Sequence, residues 1–368
     1  QVWVAWQGAR DNVFRILARR QTDNGWSAEF TVSSQKRSCW MPAVAASPKD
    51  SRVAIAWDTY DKGDYDVWVR EYDASGKAQA ARPVANTALY EARPAATYDR
   101  EGNLWLSWEE GGATWGKDWG AYEKDTGIGL YKNRQISLRV LANGQWQEPA
   151  SSFLSSLPAA NPRRGVKNVP VRRPEPEATT RKAGQEAELA AMAGYNNLAR
   201  IACDRDGRIW LFARAREGQF FTPVGSVWLN YVSHYDGKNW TGPILLPHSD
   251  NLLYNLPAVA AHPAGGLIVA HSSDHRQDRH IVRRGPGGNA SLASDKDPFI
   301  NDIYVSRLEF AGGKVNPGLK AAASQPAASP APSSETLKEL AEVARARGYR
   351  AQIGGKELRI LRGERIAR

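Results

Sequence analysis

Cysteine and methionine are scarce in this sequence: the 368 residues include only two of each. The two cysteines, Cys39 and Cys203, cannot build a disulfide scaffold or a zinc site by themselves. We expect two free buried thiols, and the alternative is a single bridge between them. No apolar run comes near the ~18 residues of a membrane span, and the mean hydropathy is −0.53. The sequence therefore predicts no transmembrane helix.

A recognisable leader is also missing at the N-terminus. No basic stretch followed by an apolar one precedes Gln1-Val2-Trp3, which lies inside a predicted strand and has no initiator methionine before it. We therefore expect the natural protein to begin further upstream.

Acidic residues are outnumbered by basic ones. There are 49 Lys and Arg against 39 Asp and Glu, a formal net charge of +10. Much of the excess lies in two segments, 162–182 and 338–368. A positive charge can attract nucleic acid, anionic surfaces or acidic glycans. Because the excess is local, it gives little support to nucleic-acid binding, and we do not expect a nucleic-acid partner.

Tryptophan and glycine are abundant, with 14 and 32 residues, and they mark an internal repeat. A small residue followed by a larger one closes a short apolar run at five places, spaced by 51, 51, 106 and 57 residues. The third interval is one repeat plus a long insertion. The five pairs are Ala5-Trp6, Ala56-Trp57, Ser107-Trp108, Ala213-Arg214 and Ala270-His271.

Each repeat is predicted to contain four short strands. In four repeats an apolar first strand precedes the pair of a small and a larger residue. These strands are Pro42–Ser47, Pro94–Asp99, Ala199–Asp204 and Pro257–His262. Asp/Gly turns at 99–102 and 204–207 join first and second strands as tight hairpins. The third strands alternate with period two: Asp11–Ala18, Asp66–Tyr72, Gln135–Leu141, Val227–Tyr235 and Asp302–Phe310. Fourth strands follow glycine turns at Trp26, Trp146 and Trp240.

Four antiparallel strands per ~50 residues are typical of a β-propeller blade, which stacks on its neighbours because it cannot bury both faces alone. The sequence therefore predicts an all-β fold, a β-propeller of four-stranded antiparallel blades with a short α+β C-terminal tail. Five units are visible, and the first lacks its innermost strand. Either the C-terminal region supplies that strand or upstream blades are missing, and we favour the second explanation.

The predicted propeller spans residues 1–319, with blades at about 1–36, 39–87, 91–156, 197–250 and 256–316 and an insertion at 158–196. Residues 320–334 form a Pro/Ala/Ser linker that cannot build a core. Residues 335–368 are predicted to begin a second domain. In it, Ser333 or Ser334 caps a helix from Glu335 to about Arg347, and two strands follow at 349–353 and 357–361.

The segment 354–364, Gly-Gly-Lys-Glu-Leu-Arg-Ile-Leu-Arg-Gly-Glu, resembles an uncharacterised bacterial family. In that family a propeller-like region precedes a metal-dependent domain similar to the polymerase-and-histidinol-phosphatase (PHP) phosphoesterases, and Leu-Arg-Gly-Glu leads into a His-x-His metal motif. Here Arg365-Ile366-Ala367-Arg368 follows instead. The resemblance thus implies a PHP-like domain that is only begun in this stretch. The repeats are also similar to sialidase-like and other bacterial propellers.

A sialidase-like glycoside hydrolase acting on a glycan is the alternative function. Sialidases carry their Ser-x-Asp-x-Gly-x-x-Trp turn between third and fourth strands, whereas the Asp/Gly turns here join first and second strands, so a structural hairpin explains them. Carboxylates that follow second strands share one face and could act as a pair on a sugar, but we expect them to be solvated on the rim. These are Asp58, Asp61, Glu109, Glu110 and Glu217.

One short segment, 271–280, contains three histidines and two aspartates. Imidazole and carboxylate suit Zn, Mn or Fe, which makes His271, Asp274, His275 and His280 weak candidates for metal ligands. The spacing matches no standard motif, and two arginines in the segment would repel a cation. We therefore expect a polar loop without a metal or another cofactor. His271 is explained first by its place in the repeat, where Trp6, Trp57 and Trp108 stand in other units.

The candidate binding face carries the loops between second and third strands. A Gly-rich loop there holds Trp115 and Trp119, which could stack on sugar rings, and the insertion 158–196 leaves from the same side. Cations beside aromatic rings favour an anionic ligand such as an acidic glycan or another polyanion. Disorder of the insertion is the alternative. The candidate ligand-binding residues are Trp115, Trp119, Glu109, Arg163, Arg164, Arg172, Arg173, Asp274 and His275.

From these patterns the sequence predicts a non-catalytic recognition or scaffolding module of a larger bacterial protein. We expect it to bind an anionic glycan or other anionic ligand on the loop face, and a protein–protein platform stays open beside it. Its own C-terminal domain, absent from this stretch, would be a second partner. Tryptophan-rich repeats with such a linker suggest export, so we expect a periplasmic or secreted location.

Overall fold

The structure, a computed structural model, describes residues 1–34, 36–61, 64–111, 115–116, 128–129, 134–157, 196–217, 227–251, 256–274, 282–284, 290–292, 302–309, 350–354 and 357–361. Within these ranges the protein is almost entirely β, with one 3-10 turn at Leu154–Ser156. No helix among them is long and apolar enough to cross a membrane. The predicted helix from 335, the linker 320–334 and most of the insertion lie outside the described residues.

The first unit is built from β1 (Trp3–Arg10), β2 (Val13–Thr22), β3 (Gly25–Trp26) and β4 (Phe30–Thr31), with β1, β3 and β4 all paired to β2. The predicted strand from Asp11 begins two residues later, because Asp11 and Asn12 form the turn of the β1–β2 hairpin. Their φ values of 51° and 61° are those of a turn whose twist matches the flanking strands.

The second unit contains β5 (Cys39–Ala46), β6 (Val53–Asp61), β7 (Asp64–Tyr72) and β8 (Arg82–Ala85). The third contains β9 (Tyr90–Tyr98) and β10 (Leu104–Gly111), then a short parallel pair, β11 (Trp115–Gly116) and β12 (Ile128–Gly129), and finally β13 (Arg134–Ala142) and β14 (Gln145–Gln147). Apart from that parallel pair, the strands of each unit form an antiparallel sheet in sequence order, and a parallel bridge between Tyr65 and Tyr90 links the two sheets.

The fourth unit is the regular sheet β15 (Asn196–Cys203), β16 (Ile209–Glu217), β17 (Val227–Tyr235) and β18 (Trp240–Leu245). The fifth pairs β19 (Ala258–Ala261), β20 (Leu267–Ser273) and β23 (Asp302–Leu308), and its long loop carries the hairpin of β21 (Val282–Arg284) and β22 (Ala290–Leu292). Near the C-terminus, β24 (Arg350–Gly354) and β25 (Glu357–Leu361) form the predicted pair of strands.

The first strands of successive units lie side by side. Strand β5 contacts β9, β9 contacts β15, and β15 contacts β19. Strand β1 contacts β5 in the way that β6 contacts β9. Strand β1 is therefore the equivalent of the second strand of the other units. Four-stranded antiparallel sheets with their first strands gathered at the centre make a β-propeller, which confirms the predicted fold class.

The apolar core lies between neighbouring sheets and follows the period of two in each second strand. In β6, Ile55 and Trp57 pack toward the first unit, whereas Ala54 and Ala56 pack toward the third. Strands β10 and β16 alternate in the same way, each serving two cores. Because β6, β10 and β16 are each covered on both faces, the units stabilise one another as stacked blades.

The Asp/Gly hairpins between first and second strands are structural, as predicted. Asp99 Oδ1 accepts the Asn103 backbone N–H at 2.8 Å, and its Oδ2 accepts Trp105 Nε1–H at 2.9 Å. Asp204 repeats this pattern with the N–H of Arg208 at 2.9 Å and Trp210 Nε1–H at 2.8 Å. Each aspartate therefore joins the turn to the tryptophan that is buried in the next core.

Candidate functional site

The inner strands of three successive units share one distortion, a β-bulge in which two residues lie opposite one residue of the second strand. The bulges are Met41-Pro42, Arg93-Pro94 and Leu198-Ala199. Their first residues have φ of 51°, 56° and 52°, in the left-handed region. The inner strands thus begin before Pro42, Pro94 and Ala199, the residues at which their starts were predicted.

The bulges also correct the alignment of the repeats. They lie opposite Trp57, Trp108 and Ala213 in the second strands. Ala213, rather than Arg214, is therefore the fourth-unit equivalent of the repeat tryptophan. The next position along, which is Asp58 in the second unit and Glu109 in the third, is Arg214 in the fourth.

A side chain of the preceding unit binds the backbone N–H at each bulge. Arg93 donates to Asp58 Oδ2 at 2.8 Å, and Leu198 donates to Glu109 Oε1 at 2.7 Å. In the first unit, Gln7 Oε1 accepts the N–H of Met41 at 3.3 Å. Because a bulge N–H has no partner in the strand ladder, these acceptors satisfy it and tie each blade to the next.

The carboxylates that follow the second strands are buried, so the expectation that they are solvated on a rim is wrong for three of them. Glu109 is 0%, Asp58 2% and Glu110 3% exposed. They lie within the strands, where neighbouring blades cover them. The side chains of Asp61 and Glu217 fall outside what the structure describes.

Glu109 is held by charge as well as by the bulge. Its Oε2 lies 3.1 Å from Arg134 Nη1 and 3.5 Å from Arg93 Nη1, while Oε1 accepts the Leu198 N–H. Burial without such partners would be costly for a carboxylate. With both oxygens engaged, Glu109 positions two arginines and the start of β15.

Asp58 is less well compensated. Its Oδ1 has no hydrogen-bond partner in the described part of the chain. Burial raises the pKa of Asp58 from 3.8 to about 7, and the N–H and charge of Arg93 only partly oppose this. Near neutral pH the group therefore carries only part of a negative charge.

A cavity of about 170 Å³ opens between the bulges at the centre of the propeller. It is lined by Gln7, Met41, Pro42, Arg93, Pro94, Leu198, Ala199, Arg200 and Leu256. Most of the lining is apolar or backbone, and two arginines supply the charge. Residues of all five units line it, and the inner strands of the second, third and fourth units supply most of them.

Arg200 is the exceptional residue of this cavity. The equivalent positions in the other inner strands are Ala43, Ala95 and Ala258. Arg200 is partly buried, and burial lowers the pKa of its guanidinium. Among the described residues no carboxylate forms an ion pair with it. A partly desolvated guanidinium without a counter-charge is a ready contact for an anion.

His271 is a buried repeat position, as predicted. It is 3% exposed, its Nε2 lies 2.8 Å from the Pro247 carbonyl oxygen, and its ring stacks with Tyr304. Burial lowers the pKa of His271, which keeps it neutral at pH 7. Asp274 is also 3% exposed, and its backbone N–H donates to the Asp250 carbonyl. Within the described ranges no group of three or more His, Cys, Asp or Glu side chains could hold a metal ion.

The remaining predicted site residues are not tested by the structure. Trp115 begins β11, but its side chain is outside what the structure describes. Trp119, Arg163, Arg164, Arg172, Arg173, His275 and His280 also lie outside the described residues. Their role in binding stays a prediction.

Arg93 and Arg200 were not among the predicted site residues, although the sequence contains signals for both. Met41-Pro42 and Arg93-Pro94 recur one repeat apart, and a polar residue follows Trp6, Trp57 and Trp108. Aligning the inner strands would have placed Arg200 among alanines. What the residue pattern does not contain is the convergence of these strands on one cavity.

No protein-family model and no curated protein matches the sequence. Similar solved structures include an endo-arabinase from Bacteroides thetaiotaomicron, 11% identical over 84% of this chain and 95% of that one, with a TM-score of 0.39. A Hadza microbial sialidase is 10% identical over 81% of this chain and 55% of its own, with a TM-score of 0.38. An ulvan lyase is 10% identical over 79% and 60%, with a TM-score of 0.43. These similarities are too low to indicate a shared site or activity.

Proposed function

We propose that this β-propeller is a recognition module that binds an anionic ligand, such as an acidic glycan, at its central cavity. The observation that carries the proposal is Arg200, a partly buried cation in the cavity where the other inner strands have alanine, without an ion pair among the described residues. A carboxylate, sulfate or phosphate group of the ligand would supply the missing counter-charge.

The charges around the cavity support an anion. The carboxylate of Glu109 forms ion pairs with Arg93 and Arg134 and opposes the positive charge of these two residues and of Arg200. Asp58, with a pKa of about 7, cancels only part of the remaining positive charge at neutral pH. The described surroundings of the cavity are therefore net positive, and its low-dielectric walls strengthen the attraction.

Chain connectivity supports a larger site on the loop face. The insertion 158–196 leads directly into β15, two residues before Leu198, and β10 ends four residues before Trp115. We include the arginines of the insertion and the loop with Trp115 and Trp119 in the proposed binding face. Replacing 158–195 by a short Gly/Ser linker should weaken anion binding, and equal binding by the deletion variant would remove the insertion from the site.

The central test is an array of uronate-containing, sulfated, sialylated and neutral glycans, probed with the unaltered protein, Arg200→Ala and Arg205→Ala. Arg205 is the matched control, since it is exposed in the hairpin at the other end of β15. We expect acidic glycans to bind the unaltered protein and the control, and Arg200→Ala to lose roughly 10- to 100-fold in affinity. An unaltered protein that binds no anionic glycan, or an Arg200→Ala variant that binds equally well, contradicts the proposal.

Glycoside hydrolysis is the alternative, and the buried carboxylates do not favour it. Glu109 is fully buried with both oxygens engaged, and Asp58 is 2% exposed. A pair of catalytic carboxyl groups must flank the scissile bond of a bound sugar. We therefore propose a non-catalytic role, and release of reducing sugar from an acidic polysaccharide by the purified protein would overturn it.

Two further parts of the proposal rest on sequence alone. The resemblance of segment 354–364 to the PHP-like family suggests that a metal-dependent hydrolase domain follows, and the complete gene would show whether His-x-His comes next. Export is proposed from the tryptophan-rich repeats and the linker. Fractionation of the native host should recover the protein outside the cytoplasm.

A further inference from the structure

Five aromatic rings form a continuous strip across the first three units. Phe14 lies 6.5 Å from Trp40 between ring centroids, Trp40 lies 5.8 Å from Tyr65, and Tyr65 lies 5.1 Å from Tyr60 and 5.4 Å from Tyr90. All five are near the same ends of their strands. That end carries the loops between second and third strands, as Phe14 follows the β1–β2 turn and Tyr60 and Tyr65 flank the β6–β7 turn.

The outer part of the strip is open to solvent. Phe14 is 42% and Tyr60 38% exposed, while Trp40 and Tyr65 are half-buried and Tyr90 is 4% exposed. The strip thus has a buried end at Tyr90 and an accessible end at Phe14. Large apolar side chains exposed side by side, rather than scattered singly, are typical of an interaction surface.

The strip leads into the central cavity. Trp40 directly precedes Met41, a residue of the cavity lining that is itself 41% exposed. Tyr65 and Tyr90 lie close enough to Arg93 for its charge to oppose the rise that burial causes in their pKa values. The aromatic row therefore adjoins the cationic cavity at Trp40-Met41 and near Arg93.

The backbone beneath the rings is fixed. Ser38 Oγ accepts the backbone N–H of Phe14 at 3.2 Å, and the Ser38 carbonyl accepts Thr59 Oγ1–H at 3.0 Å. Ser38, two residues before Trp40, thus joins the first unit to the second. Rings held in place before binding lose little conformational entropy on contact with a ligand.

We propose that these rings are sugar-stacking subsites, so that the ligand is an acidic oligosaccharide with its anionic group between Arg93 and Arg200 and its neighbouring sugar rings on Tyr65, Trp40, Tyr60 and Phe14. This inference rests on the proposed function and specifies its ligand class. Aromatic side chains offer large, rigid apolar faces, and tyrosine adds a polar hydroxyl at the wet edge.

Single-stranded nucleic acid also combines rings with negative charge, but the observations favour a sugar chain. Proteins that bind single strands need a basic groove that follows the backbone, with aromatic side chains along it. Here the two cations of the cavity lie at one end of the strip. That arrangement fits an oligosaccharide that places an acidic group in the cavity and its sugar rings along the strip.

The test is titration calorimetry with galacturonate and mannuronate, each as monomer and hexamer, with cellohexaose and dT12 as comparison ligands. The variants are Phe14→Ala, Tyr60→Ala and Arg200→Ala, with Trp26→Ala as the matched control. Trp26 is 50% exposed but lies at the opposite end of the first unit. All replaced rings are exposed, and circular dichroism and thermal melts would verify folding.

We expect at least one acid to bind more tightly as hexamer than as monomer. Phe14→Ala and Tyr60→Ala should each weaken hexamer binding by about 3- to 10-fold and leave monomer binding unchanged. The control variant Trp26→Ala should bind both lengths as the unaltered protein does. Arg200→Ala should weaken both lengths. If the ring variants bind the hexamer as tightly as the unaltered protein, the sugar-stacking proposal is wrong. If Arg200→Ala still weakens binding in that case, the proposed anion-binding function stands. Absence of binding by either acid overturns both, and ring-dependent binding of dT12 above both hexamers identifies a nucleic-acid strip instead.

Discussion

Replacing Asp58 by asparagine should make the protein more stable at alkaline pH. Asp58 is buried, one of its oxygens has no hydrogen-bond partner in the described chain, and burial raises its pKa from 3.8 to about 7. Because the folded protein binds this proton more tightly than the unfolded chain does, the stability that protonation contributes is present below about pH 4. It is lost as the pH rises through 7.

The magnitude follows from the two pKa values. A tenfold change in proton affinity corresponds to about 1.4 kcal/mol. Raising the pKa from 3.8 to about 7 therefore destabilises the folded state by about 4 kcal/mol once Asp58 is ionised. Asparagine avoids this charge, and its Oδ1 can still accept the N–H of Arg93 that Asp58 accepts at 2.8 Å. We expect a gain of up to about 4 kcal/mol at pH 8 and of up to about 2 kcal/mol at pH 5, where the folded protein keeps a proton that the unfolded chain has largely lost.

The assay is urea denaturation of the unaltered protein, Asp58→Asn and Asp23→Asn between pH 5 and 8. Asp23 is an exposed turn residue, and its variant should follow the unaltered protein at every pH. The informative quantity is how the free-energy difference between Asp58→Asn and the unaltered protein changes with pH. A difference that is the same at pH 5 and pH 8 would refute the assignment of a buried, partly protonated carboxyl at this position.

Three further outcomes test the packing. Glu109→Ala should cost about 3–5 kcal/mol in denaturant titration, because it leaves the buried Arg134 without its carboxylate; a loss below 1 kcal/mol would contradict this. Asp99→Ala should cost about 2–4 kcal/mol by thermal melting, since Trp105 Nε1–H and a turn N–H lose their acceptor, and no change would show that the hairpin is not needed. The thiol of Cys39 is 0% exposed and burial raises its pKa, so a thiol reagent should modify it only as fast as the protein unfolds, and rapid labelling of the folded protein would be the opposite result.

The hairpins and the alternation of strands could be predicted because both are local. Asp99 and Trp105 lie six positions apart, and the turn between them needs only residues within the hairpin. The alternation in β6 is likewise readable from consecutive letters, since successive side chains point to opposite faces. The bulges were not found, because a left-handed residue before Pro42 or Pro94 runs against what the local sequence favours.

By itself, the sequence determined the all-β class, the repeat of about one blade per fifty residues, and the identity of the residues that close each hairpin. Only the tertiary structure decided that Asp58 and Glu109 are buried, that each binds the bulge of the following unit, and that Arg93 meets Arg200 in one cavity. The physical reason is distance along the chain. Patterns of propensity act over a few residues, whereas burial and charge pairing depend on which sheets pack together. The residues that meet here lie 35 to 107 positions apart in the chain.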